Sequence, residues 1–164
     1  MKQKLDMQRS NELMFGAELL DGRVLQGLQD RFCACNNLYC VCLSQMQGVV
    51  TKAYGSKEEL NYIHEKVGMA RHIVLLNRLI TSEMEDVVEE PLEEDYLKMS
   101  GVAIRVGGKI TAIWIVIGVL SDIAAPEQEI PENIQKTTTK QYYNSLAFLT
   151  YISKQYFATK LDEL

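Results

Sequence analysis

GVAIRVGGKITAIWIVIGVL, residues 101–120, decides the fold. Two runs rich in β-branched residues flank Gly107-Gly108, a dipeptide that supplies the positive φ angles of a tight hairpin turn. With YLKMS ahead of the first run, the pattern predicts two long antiparallel strands. In the second, Ile110, Ala112, Trp114, Val116 and Gly118 alternate with Thr111, Ile113, Ile115, Ile117 and Val119. Both sets are apolar, so this strand is central and covered on both faces. The run from Ile113 to Leu120 falls far short of the ~20 residues needed to cross a bilayer, and protein must bury it. Gly118 leaves space beside it, as at a bulge or a cavity wall.

Upstream, EMEDVVEEPLEED places eight acidic residues between Glu83 and Asp95. Interleaved Met84, Val87, Val88 and Leu92 make it an edge strand whose charges and Pro91 deter pairing with other chains. Ser56-Lys57-Glu58-Glu59 matches a capping box, and Leu60, Ile63, Val67, Ala70, Val74 and Leu75 continue it as one amphipathic helix over 57–80. Before that, LYCVCLSQ and VVTKAYG flank a polar turn at Gln47-Gly48 and read as a first β-hairpin. Asp21 can cap a helix carrying Val24, Leu25, Leu28 and Phe32, which stops at Asn36-Asn37, residues that tolerate the left-handed conformation. A still earlier helix starts at Ser10 and carries Leu13, Met14, Ala17 and Leu20. Downstream, the proline-bearing connection SDIAAPEQEIPENIQKTTTK leads to a long helix over 139–162, with Tyr142, Leu146, Leu149, Ile152, Ser153 and Tyr156 in a narrow stripe.

One domain of α+β class follows: N-terminal helices over 1–36, a five-stranded antiparallel sheet over 38–121 with the inserted helix, and a C-terminal helix. The 164 residues, 47% hydrophobic and 24% charged, are enough for a single core. A formal charge of -5 without a dense Lys/Arg stretch argues against direct nucleic-acid binding. The first fifteen residues are charged throughout and lack the apolar centre of a secretory signal, so a cytoplasmic chain with free thiols is expected. No membrane partner is expected either.

Taken together, LLDGRVLQGLQDRFCACNNLYCVCLSQMQGVVTKAYG and GVAIRVGGKITAIWIVIGVL resemble the PAS/GAF-like sensory domains, including the PocR-type ligand-binding sensors of bacterial regulators. The resemblance lies in the order of elements. It implies a five-stranded PAS/GAF-like sheet, a small-molecule pocket between sheet and helices, and signalling through terminal helices, but names neither ligand nor cofactor.

Four cysteines fall within ten residues, as Cys33, Cys35, Cys40 and Cys42. Structural zinc favours C-x2-C turns that aim two sulfurs at one ion; C-x-C on a straight strand offers no such turn. Core packing is one reading, and a redox or metal sensor built on the cluster is the alternative. His64 and His72 on one continuous helix lie two turns apart, too far along the axis to share an ion. No phosphate loop, nucleophile elbow or dinucleotide motif is present, so a non-enzymatic regulator is expected. Candidate pocket residues are Cys42, Tyr54, Tyr62, His72, Arg105, Trp114 and Val116, with Arg105 either facing solvent or meeting an anionic ligand. In this reading a small molecule enters between the sheet and the 57–80 helix, changes that helix's packing and shifts the last helix of a homodimer joined through terminal helices. A pure dimerisation module without a cavity is a further alternative.

Overall fold

The computed structural model describes residues 21–82, 84–126 and 128–162, with side-chain surroundings given as far as residue 155. The helix expected from Ser10 lies outside the described residues. In chain order the elements are α1 (Gly22–Asn36), β1 (Tyr39–Ser44), α2 (Lys57–Val67), α3 (Met69–Thr81), β2 (Val87–Glu90), β3 (Leu97–Val106), β4 (Lys109–Val119) and α4 (Thr139–Asp162). Asp21 caps α1 by accepting from the amides of Arg23 and Val24, and Asn37 ends it at φ 55°, ψ 46°. The capping box at Ser56 and Glu59 opens α2. Gly107 and Gly108 turn the β3–β4 hairpin at φ 59° and 81°.

The strands form one antiparallel sheet in the order β1-β4-β3-β2. This corrects the five-stranded PAS/GAF-like sheet expected above: four strands form among the described residues, and the segment 49–55 is not one of them. Val50 and Thr51 both donate to the carbonyl of Cys42, at 2.9 and 3.4 Å, so two residues oppose one. The amide of Cys42 is taken by the hydroxyl of Thr51 at 2.8 Å instead of by a backbone carbonyl. Gln26 and Gln29 of α1 then claim the backbone of Lys52: its carbonyl accepts from both side-chain amides at 3.0 and 2.7 Å, and its N–H donates to Gln26 at 2.7 Å. Every backbone group must find a partner. Here helix side chains supply the partners at Lys52, Tyr54 donates back to the Cys40 carbonyl of β1 at 3.0 Å, and the ladder has one bridge, between Leu43 and Val49.

Two apolar layers sandwich the sheet. On one face, Tyr39, Leu43, Met99, Ile113, Ile115, Ile117 and Val119 pack against Ile63 and Val67 of α2, Leu75, Leu76 and Leu79 of α3, and Ile130 and Ile134 of the final connection. On the other, Cys40, Cys42, Val102, Ile104, Trp114 and Val116 meet Leu25, Phe32 and Cys33 of α1 and Tyr142, Leu146 and Leu149 of α4. Strand β4 is buried on both faces, as its sequence requires. Ile110 departs from the alternation because the β3–β4 register shifts at Ile104/Arg105, pairing Arg105 with Ile110 and moving that side chain to the α2–α3 face. Among the described residues no helix is long and apolar enough to cross a membrane.

Candidate functional site

The sequence pattern runs 57–80 as one helix, yet the chain breaks it at Gly68. There φ is 75° and ψ is 152°, a region essentially reserved for glycine. The consequence is local but large. His64, in the last turn of α2, and His72, in the first turn of α3, are folded onto each other, with ring centroids 6.4 Å apart and planes within 16°. The Nδ1 of His72 lies 3.1 Å from the carbonyl oxygen of Gly68. A carbonyl only accepts, so Nδ1 carries the proton and Nε2 of the neutral ring is left with its lone pair. Burial, together with the charge of His64, holds the His72 imidazole below its ordinary range, although its hydrogen bond to Gly68 opposes that shift.

The two histidines stand in the wall of a cavity of about 260 Å3 between β1, β4 and the α2–α3 junction. Its floor is apolar: Tyr39, Leu43, Ile63, Ile115 and Ile117 are all buried. Val41, Leu60, Ala53 and Tyr54 complete the sides. At the rim stand the exposed lining residues Val49, Lys52, His64 and Met69. A second, more open groove of about 590 Å3 adjoins it through Lys52, Ala53 and Tyr54, and is lined on its far side by Gln26, Asp30, Glu59 and Gln135.

Tyr39 links this region to the last helix. Its hydroxyl donates to the Glu59 carboxylate and accepts from the amide of Gln135 at 2.8 Å. Burial first, and the Glu59 contact second, push the phenol well above its usual range. Two residues beyond Gln135, Thr137 bonds to the backbone of Val119 and Ser121, and Thr138 and Asp122 cap the start of α4. The helix is then fastened across the opposite face: Tyr142 pairs with the Ser100 hydroxyl at 2.6 Å, and Trp114 Nε1 donates to Ser153 at 3.0 Å.

Of the seven expected pocket residues, Tyr54 and His72 line the 260 Å3 cavity. Cys42, Trp114 and Val116 point to the α1–α4 face. Tyr62 is buried with its hydroxyl 2.7 Å from that of Tyr96. Arg105 is fully engaged, donating to Asp86 at 3.3 Å and to the carbonyls of Gly108, Ser82 and Glu85 at 2.7 to 3.2 Å. It ties down the loop ahead of β2. The hydrogen bond and charge of Lys154 are the main reason the Asp86 carboxyl sits below its usual range. His64, Met69 and Lys52, which were not among the expected pocket residues, also line the cavity. The available signal was Gly68 itself, an isolated glycine between Val67 and Met69 in an otherwise regular helical pattern.

The cysteines are four free thiols, of which Cys33, Cys40 and Cys42 are buried and Cys35 is exposed. Burial pushes Cys42 up to about 12 and Cys40 well above the ordinary thiol range, the latter aided by its hydrogen bond to Cys33. Thiolate is the reactive form, so these two strand thiols are held in the unreactive one. Among the described residues no three His, Cys, Asp or Glu side chains are arranged to hold a metal ion.

No family model matches the chain, and no curated protein matches it. Among solved structures, MglB of Myxococcus xanthus is similar over 83% of this chain and 92% of that one, at 11% identity and a TM-score of 0.43. A likeness of that degree carries no argument about fold or function.

Proposed function

We propose that the chain is a non-enzymatic, cytoplasmic regulatory domain that binds a small molecule between β1, β4 and the α2–α3 junction and passes the event to α4. The observation that carries this reading is the apolar cavity of about 260 Å3, enclosed by the two helices that meet at Gly68. Ligand sites are concave, mostly apolar and equipped with a few placed polar groups. The cavity lining has this composition, with Lys52, His64 and His72 as its basic groups.

A ligand can shift the domain only by binding two arrangements unequally. The α2–α3 junction supplies an element able to hold two, because the helices are separate bodies joined at one glycine. Tyr39 supplies the connection, since it sits in the cavity floor and also holds Gln135 ahead of α4. Free cysteines in the core suit a reducing compartment. Homodimerisation through terminal helices is part of the same proposal, and the exposed Tyr143, Phe148 and Tyr151 on α4 support it.

The test uses two readouts on one preparation. Native mass spectrometry of the purified chain reports any bound organic mass, and Val41→Phe, which fills the cavity from β1, should abolish it. Trp114 is the single tryptophan and bonds to α4 through Ser153. Its emission should therefore differ between the loaded and the emptied protein. A bound mass that Val41→Phe leaves unchanged would remove the cavity from the proposal; unchanged Trp114 emission on emptying would remove the coupling to α4.

A further inference from the structure

The charge of the cavity points to the chemistry of its occupant. In a chain of formal charge -5, no acidic side chain among the described residues lines this cavity, whereas Lys52, His64 and His72 all do. The acids of the neighbourhood, Asp30 and Glu59, line the adjoining groove instead, and Glu59 is already occupied by the hydroxyl of Tyr39 and the capping box. The floor of Leu43, Ile63, Ile115 and Ile117 offers nothing but hydrocarbon. Apolar contacts thus lie at depth, with Lys52 and His64 at the rim and the buried His72 behind them.

We infer that the cavity takes a single-chain amphiphile with one carboxylate, its chain lying on the floor between Tyr39 and Ile117 and its carboxylate meeting Lys52, His64 and His72. This inference rests on the binding reading above and narrows its ligand class. A cavity of about 260 Å3 corresponds to about nine water-sized groups, the size of a medium-chain acid. Burying the chain supplies affinity in proportion to its apolar area. The carboxylate supplies discrimination, because charge-assisted hydrogen bonds from ammonium and imidazolium groups are about twice as strong as neutral ones.

The geometry at His72 adds a consequence. With Nδ1 donating to Gly68, the free Nε2 of the neutral ring can only accept, so His72 meets a carboxylate productively only by taking up a proton. The titratable side chains that face the cavity are Tyr39, Lys52, Tyr54, His64 and His72; the Cys40 thiol belongs to the other face of the sheet, beside Cys33. Of these residue types, histidine alone has its ordinary titration between pH 6 and 8. Binding of the acid is therefore tighter at pH 6 than at pH 8, where the acid itself is ionised throughout.

The experiment is isothermal titration of the full chain with octanoate and, in parallel, 1-octanol, which has the same chain and no charge. Octanoate should bind at least about tenfold tighter than octanol at pH 7, a difference of about 1.4 kcal/mol. The rim double variant Lys52→Gln/His64→Gln should erase that difference while leaving octanol affinity within about twofold, and the pH dependence should weaken in His72→Gln and vanish in His64→Gln/His72→Gln. Octanol binding as tightly as octanoate overturns the carboxylate and leaves a neutral-ligand pocket standing. Octanoate affinity unchanged in Val41→Phe places the acid elsewhere on the surface and also overturns the inference. Absence of octanoate binding overturns it too, and the native-mass experiment then decides separately whether the cavity binds anything else.

Discussion

Gly118 is needed for space, whereas Gly68 is needed for its backbone conformation. A Cβ on Gly118 would meet the Tyr142 ring at 2.7 Å and Leu38 at 3.3 Å. Tyr142 is fully buried and held by Ser100, so it cannot move aside cheaply. Gly118→Ala is thus an overpacking change, expected to cost about 1–3 kcal/mol in a urea titration; an unchanged midpoint would mean that α4 is not seated on β4 as described. His72 provides a second residue-level test. Its imidazole is held below the ordinary histidine range by burial first and by the charge of His64. The unfolded chain therefore binds the proton more readily than the folded one, and stability is full above about pH 6.5 and falls as pH drops toward the depressed value. The slope of unfolding free energy between pH 7 and 5 should be shallower in His72→Gln than in the wild type. Equal slopes would mean that His72 is not buried as a neutral ring.

The decisive element is the α2–α3 junction. Nothing lies within 4 Å of a Cβ built at Gly68, so the space is open and only the backbone conformation resists a side chain. At φ 75°, ψ 152° an alanine is strained by about 1–3 kcal/mol. Gly68→Ala can relieve that strain by straightening toward one continuous helix, which would separate His64 from His72 and open the cavity wall. The expected result is loss of stability together with loss of ligand binding. A variant that loses stability but binds normally would show that the junction does not shape the site. Segment 49–55 is the complementary case, a stretch of strand-like composition kept irregular because Thr51, Gln26 and Gln29 supply hydrogen bonds that a ladder would otherwise make.

In the whole molecule, the sheet separates the cavity from α4, and each side of β1 faces a different layer: Tyr39 and Leu43 toward α2 and α3, Cys40 and Cys42 toward α1 and α4. In the proposed coupling, β1 is the strand shared by the two layers, and the Tyr39–Gln135 bond is a second connection around the sheet edge. The outer face of α4 leaves Phe148 at 54% and Tyr151 at 60% exposure, side chains whose burial against a second copy would favour a dimer. Phe148→Glu/Tyr151→Glu should convert a dimer to a monomer in multi-angle light scattering without changing the melting temperature of the protomer. A wild-type chain that is already monomeric at high concentration would remove the dimer from the proposal.

The parts of this fold legible in the residues are those that depend on near neighbours. Caps at Asp21 and Ser56, the Gly107-Gly108 turn, the two-faced apolar run of β4 and the stripe of α4 from Tyr142 to Ser153 each state a local preference that the structure satisfies; Tyr156 at its end lies outside the described side chains. What was not legible depends on residues far apart in sequence. Whether 49–55 forms a strand was settled by Gln26 and Gln29, which reach it from a separate helix. The break within 57–80 was signalled locally by Gly68, but how α2 and α3 then pack was not. The apolar periodicity continues on both sides of Gly68 only because α2 and α3 cover the same sheet face, as Ile63 and Leu75 show. The cavity, and the meeting of His64 with His72 in its wall, exist only once that break is made. Periodicity reports which side of an element is buried; it does not report which distant group will take a backbone hydrogen bond, and here those distant groups shape the site.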